Sequence, residues 1–175
     1  KPSNQSEDGN PIIFPPVKLS FDPSSLLSYS AYCEHSVVVT SDGSLKGVGY
    51  NEDGRISATL QKTVIDDFTD FCIKDGSGRQ LAAVSAVCYA WGTLYMFSKS
   101  SGNERQLVLC DCDINGGDPV FLDIGNHHPV SLFSGFYHSA AIGSEGEVII
   151  INRNSVKNSP NSPITAVSLP NGEKA

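Results

Sequence analysis

Three stretches of this 175-residue chain align with one another without a gap, and that internal repeat limits the fold more than any other feature. The first reads His35-Ser36-Val37-Val38-Val39-Thr40-Ser41-Asp42-Gly43-Ser44-Leu45. The second reads Val84-Ser85-Ala86-Val87-Cys88-Tyr89-Ala90-Trp91-Gly92-Thr93-Leu94, and the third His138-Ser139-Ala140-Ala141-Ile142-Gly143-Ser144-Glu145-Gly146-Glu147-Val148. Gly43, Gly92 and Gly146 share one slot and stand 49 and 54 positions apart. A period of about 50 residues marks units that cannot bury their own apolar faces and must stack or be arranged radially.

Each stretch reads as a β-hairpin. A run of small and β-branched residues leads into a turn, and Asp42-Gly43 is a strong two-residue turn signal because glycine accepts the positive φ of a tight reversal. The returning strands are Leu45–Gly49, Leu94–Ser98 and Val148–Asn152. Earlier strands are expected over Leu26–Cys33, Arg79–Ala83 and Val130–Tyr137. Linking strands are expected over Pro16–Phe21, Thr63–Phe68, Pro119–Ile124 and Pro163–Leu169. No segment keeps a 3.6-residue period, so almost no helix is expected. The expected class is all-β, organised as a polar, disordered lead-in (1–10) and propeller repeats (11–175) in units 11–62, 63–116 and 117–175.

These spacings are joined by specific motifs. The first unit carries Ala31-Tyr32-Cys33-Glu34-His35-Ser36, then Ser41-Asp42-Gly43-Ser44-Leu45, then Gly49-Tyr50-Asn51-Glu52-Asp53-Gly54-Arg55-Ile56. The third opens with Ser134-Gly135-Phe136-Tyr137-His138-Ser139. Both resemble the repeat of the regulator of chromosome condensation family, in outline over residues 16–170. Where that repeat has Trp, this chain has Val48, Phe97 and Ile151. The second unit has Val84 where His is expected. Tryptophan-aspartate repeat propellers are the alternative, but their Trp-Asp ending is absent. The resemblance implies a seven-bladed β-propeller of four-stranded blades. His35, Gly43, Gly49, Asn51, Gly54, Gly92, Gly135, His138 and Gly146 would be its structural repeat positions.

Three blades span under half of such a ring, and the chain starts at Lys1 rather than Met. It therefore reads as a fragment of a larger protein, whose remaining blades lie in the same parent chain or another one. Alone it is expected to be unstable, aggregated or dimeric, because open edges and apolar faces remain.

The candidate sites are mostly structural. A His at a repeat position fixes each blade, since one active site does not need a histidine per blade. Asp111-Cys112-Asp113-Ile114-Asn115-Gly116 opens like a calcium loop. It ends on Leu122 where a Glu is required, and carries Pro119 where a propeller-hairpin calcium loop places a carboxylate. A strand ending in an Asn-Gly-Gly turn is the simpler reading. Cys110 and Cys112 with His127 or His128 lack a fourth zinc ligand. Gly76-Ser77-Gly78 lacks the third glycine and the following helix of a phosphate loop. No metal and no cofactor are expected. Asp66, Asp67 and Asp70 read as an exposed acidic loop that could dock a basic partner.

A net charge of −7 disfavours direct contact with nucleic acid and anionic membranes. No run approaches the ~18 apolar residues of a membrane span. Five cysteines, an odd number and mostly inside apolar runs, suit free thiols in a reducing intracellular compartment. A non-enzymatic protein-interaction module is the leading functional expectation. Through the resemblance, its partner would be a ubiquitin-pathway component or a small GTPase. The alternative is guanine nucleotide exchange on a small GTPase; an enzyme with a central-channel site ranks last.

Overall fold

The computed structural model describes residues 21–99, 104–158, 164 and 166–167. They form three four-stranded antiparallel sheets. The first holds β1 (Leu26–Tyr32), β2 (His35–Thr40), β3 (Leu45–Tyr50) and β4 (Val64–Phe71). The second holds β5 (Ala82–Tyr89), β6 (Gly92–Ser98), β7 (Arg105–Asp111) and β8 (Val120–Phe121). The third holds β9 (Pro129–Ser134), β10 (Ser139–Gly143), β11 (Val148–Ile151) and, after the short helix α1 (Arg153–Asn158), β12 (Ala166–Val167). Strands follow chain order within each sheet. The first strands β1, β5 and β9 lie side by side, so the sheets fan outward from one edge as propeller blades do.

Packing follows from the two-residue period of a strand. Val37, Val39 and Leu45 face the second sheet and join Ala86, Cys88, Tyr95, Phe97, Val108 and Cys110 in one core. The alternate residues Leu94, Met96, Leu107 and Leu109 point the other way and meet Leu132, Ala141, Ile149 and Ile151 of the third sheet. The middle sheet is thus covered on both faces, and β6 is buried from Gly92 through Phe97. Among the described residues no helix is long and apolar enough to cross a membrane.

Gly43 and Gly146 adopt φ of 82° and 83°, each in the reversal before the third strand of its sheet. The second unit differs from the gapless alignment. Gly92 is not in the slot of Gly43; it opens β6 and pairs with Tyr89 and Asp111. The reversal before it is Ala90-Trp91, which matches Cys33-Glu34 between Tyr32 and His35. His35, Gly92 and His138 are therefore the equivalent positions, and Val84 is not a lost histidine. The sequence signal misled because Trp91-Gly92 has turn-like composition. The glycine is instead required by close approach: a methyl group at Gly92 would lie 1.9 Å from the Cys110 carbonyl oxygen.

Other expectations shift by a few residues. The strand expected over Arg79–Ala83 is β5, Ala82–Tyr89. The linking strand expected over Thr63–Phe68 is β4, which closes the first sheet against β3. The helix α1 was not expected; Asn152 caps it, its Oδ1 accepting from the Asn154 and Ser155 amides at 3.0 and 3.3 Å. The lead-in 1–10 and most of Pro16–Phe21 and Pro163–Leu169 lie outside the described residues.

Candidate interaction face

At one end of the fan, the tips of the three first hairpins converge. Their equivalent residues are Cys33-Glu34, Ala90-Trp91 and Phe136-Tyr137. Tyr32 meets Phe136 edge-on at 5.8 Å, Phe136 meets Tyr137 at 4.3 Å, and Tyr137 stacks on Trp91 at 6.4 Å. The Ala90 amide donates to the Phe136 carbonyl at 3.1 Å, which fixes the second tip to the third. Phe136 and Tyr137 are 50% and 62% exposed, so three blades build an aromatic patch that points into solvent.

Two guanidinium groups underpin the patch. Arg153 lies over the Trp91 ring at 4.8 Å and reaches Asp111 at 2.7 and 3.1 Å; it also pairs with Asp113. Asp111 is buried and accepts in addition from the Tyr89 hydroxyl. Burial opposes the charge on Arg153, but the two aspartates outweigh it and hold its pKa above the ordinary value. The Arg153 hydrogen bond in turn keeps Asp113 below the usual carboxylate range. Arg55 lies over the Tyr50 ring at 4.8 Å and contacts Glu34 and the Ala90 carbonyl, both at 3.3 Å. The guanidiniums are largely covered, while Glu34 and Asp113 turn outward, so the rim of the patch is acidic. The buried Trp91 Nε1 has no hydrogen-bond partner.

The sequence-derived positions fall into three groups. His35 is buried at the joint between the first two sheets. Its Nε2 lies 3.1 Å from the Gly92 carbonyl and 3.2 Å from Thr93 Oγ1. Burial lowers its pKa to about 4, so the ring is neutral at pH 7. Asn51 is buried and organises the loop between β3 and β4. Its Nδ2 reaches the Ser57, Leu60 and Lys62 carbonyls, and its Oδ1 accepts from the Ile56 and Ser57 amides. Gly49 pairs with His35, and Gly54 lies in the same loop as Asn51. Gly135 and His138 stand beside the aromatic patch, with the His138 ring close over the Gly135 backbone.

Asp66, Asp67 and Asp70 need a correction: they sit on β4, an outer strand, and not in a loop. The run Val64-Ile65…Phe68…Phe71 supplies enough apolar side chains to pair this segment with β3, and Asp70 bonds Lys46 at 2.5 Å. The segment 111–116 is the second sheet's counterpart of the 49–54 loop. Asp53 and Asn115 share φ near 50°, and Gly54 and Gly116 are also positive. Asp111 in that segment is committed to Arg153 and Tyr89. Among the described residues no three His, Cys, Asp or Glu side chains are grouped as a metal site would need. A groove of about 810 Å³ runs along β5 and β9 past Leu27, Val84, Val130 and Phe133.

Sequence reading missed the aromatic patch. Its members are scattered over a hundred residues, and Glu34, Trp91 and Tyr137 become equivalent only once Gly92 is aligned with His35.

No protein-family model matches the sequence, and no curated protein does. Solved structures do match. Human WBSCR16 superposes with a TM-score of 0.62 at 16% identity over 89% of this chain and 43% of its own. Prp20p from Saccharomyces cerevisiae, described with its binding properties to Gsp1p and histones, gives 0.56 at 13% over 83% and 39%. Yeast RCC1 (Prp20) bound to Kap60 gives 0.51 at 13% over 89% and 39%. The chain thus spans about two-fifths of the length of these structures, and at such identities the likeness is one of fold. The three sheets are blades of a β-propeller of the RCC1 type.

Proposed function

We propose that this chain is a non-enzymatic protein-interaction module and that the aromatic patch is its contact surface. The observation that carries this reading is the exposure of Phe136 and Tyr137 on a framework already locked by stacking and ion pairs. Exposed aromatics that lose little freedom on binding are the side chains that dominate protein interfaces. The acidic rim suits a partner with an apolar centre and basic flanks. The overall charge of −7 supports a protein rather than nucleic acid or an anionic membrane surface. Free buried thiols at Cys88 and Cys110 support a reducing intracellular setting.

The fold shared with Prp20p, whose structure is described with binding to Gsp1p, favours a second reading: nucleotide exchange on a small GTPase. One experiment separates these. Tagged wild-type chain, a Phe136→Ala/Tyr137→Ala variant and an Asp66→Asn/Asp67→Asn/Asp70→Asn variant are used for affinity capture from cell extract, and each is assayed for release of fluorescent GDP from a Gsp1p-type GTPase. The interaction reading expects saturable capture that the aromatic variant loses by at least ~10-fold and the β4 variant keeps, with no accelerated GDP release. Capture unaffected by the aromatic variant sinks the assigned surface. Accelerated release selects the exchange reading.

A further inference from the structure

The blades pack by a rule that repeats and then stops. With His35, Gly92 and His138 equivalent, Val37, Leu94 and Ala140 occupy one position, and Val39, Met96 and Ile142 the next. On the third strands, Leu45, Leu107 and Val148 correspond, as do Gly47, Leu109 and Ile150. In the first sheet these residues face the second sheet, and Val37, Val39 and Leu45 are buried. In the second sheet they face the third, and all four are buried. In the third sheet no described sheet lies beyond them. Ile150 is 46% exposed, and Phe133, paired across the strands with Ala140, is 50% exposed. Val167 of β12, beside Val148, is also exposed.

A polar group marks the same step. At the first joint the forward-pointing side chain is His35, whose Nε2 reaches the Gly92 carbonyl and the Thr93 hydroxyl at the start of the next blade's second strand. At the second joint Gly92 cannot do this. Its cross-strand partner Asp111 reaches forward to Arg153 instead. In the third sheet the position is again a histidine. His138 is exposed and makes no hydrogen bond among the described residues, next to a cavity of about 370 Å³ shared with Ile150 and Asn152.

The two ends of the stack are not alike. The opposite face of the first sheet is closed: Val38 and Thr40 are buried, and Phe21 packs edge-on against Phe68 with the Lys46 ammonium over its ring. A second copy stacked head to tail would meet that covered face. The links that are described run from an outer strand to the first strand of the next blade, β4 to β5 and β8 to β9.

We propose that the open face of the third sheet, with His138, docks a further four-stranded blade of the same polypeptide. That blade presents a backbone carbonyl at the start of its second strand to His138 Nε2. The inference rests on blade packing and is independent of the aromatic patch.

The test compares the 175-residue chain with the native-length protein purified from its source, each carrying Ile150→Cys, with Cys33 as the exposed internal reference. In the 175-residue chain the new thiol should react with iodoacetamide at a rate within about tenfold of Cys33. In the native-length protein it should react at least ~100-fold more slowly, because only opening of the joint exposes it. Comparable rates in both forms overturn the proposal. So does protection that depends on a dimer of this chain or on a separate polypeptide. Unmodified protein gives a second readout: the imidazole N–H of His138 should resist solvent exchange in the native-length form, as that of His35 does in the chain. Rapid exchange at His138 in the native-length protein also overturns the assignment.

Discussion

The two joints between blades use one backbone arrangement and opposite chemistry. Between the first and second sheets the link is neutral: His35 to Gly92 and Thr93, Thr93 Oγ1 to the Arg55 carbonyl at 3.0 Å, and the Tyr95 hydroxyl to the Ile56 carbonyl at 2.6 Å. Between the second and third sheets it is charged: Asp111, buried, holds Arg153 and the Tyr89 hydroxyl. The paired slots are His35 with Gly49 in one sheet and Gly92 with Asp111 in the next. One member of each pair is glycine, and the other reaches forward. A blade therefore needs one polar side chain at this point of the joint, and either strand can supply it.

Breaking the charged joint should have the largest effect. Arg153→Ala leaves a buried carboxylate whose remaining protein contacts cannot neutralise it, and should cost about 3–5 kcal/mol. Urea denaturation monitored by Trp91 fluorescence measures this at its source. A loss below 1 kcal/mol would mean that water replaces the guanidinium and that the joint is held by its apolar core alone.

The neutral joint should instead respond to acid. The folded His35 has a pKa of about 4 against an ordinary value of 6.5. Its contribution is therefore intact above pH 6.5, declines as pH falls from 6.5 towards 4, and levels off below. The full decline is roughly 3 kcal/mol, from the difference between the two pKa values. Stability curves between pH 7.5 and pH 4 should lose that component in His35→Ala, which starts from a lower plateau. An unchanged slope in the variant would assign the acid sensitivity to other groups.

A smaller effect belongs to the opposite end of the first joint. Gly43 adopts a positive φ there, and its carbonyl accepts from the Ala83 amide at 2.9 Å. Gly43→Val brings a branched side chain into that conformation, and against Ala82, at a cost of about 1–3 kcal/mol. Thermal denaturation checks it; wild-type stability would contradict the hairpin geometry.

Much of the architecture is legible in the residues. Alternating Val37, Val39 and Leu45 announce a half-buried hairpin, and Asp42-Gly43 its turn. The signal weakens in the middle sheet for a physical reason: Thr93 through Phe97 are all buried, so alternation no longer tells one face from the other. Without alternation the alignment settled on a glycine, and Gly92 was placed one hairpin away from its position. The helix α1 is six residues long, too short for a 3.6-residue period to show. The aspartates of β4 were read by charge, and their apolar neighbours decided otherwise.

Local chemistry is what the sequence determines by itself. Glycine at a tight reversal, strand-forming runs, an acidic net charge and a repeat length that forces units to stack are all properties of neighbouring residues or of composition. Partnerships across the blades belong to the tertiary structure. Asp111 meets Arg153 from 42 residues away, His35 meets Gly92 from 57, and Tyr32 touches Phe136 across three blades. No local preference encodes those distances. They are set by which faces of which sheets bury their apolar rows together, and the aromatic patch exists only once that packing is complete.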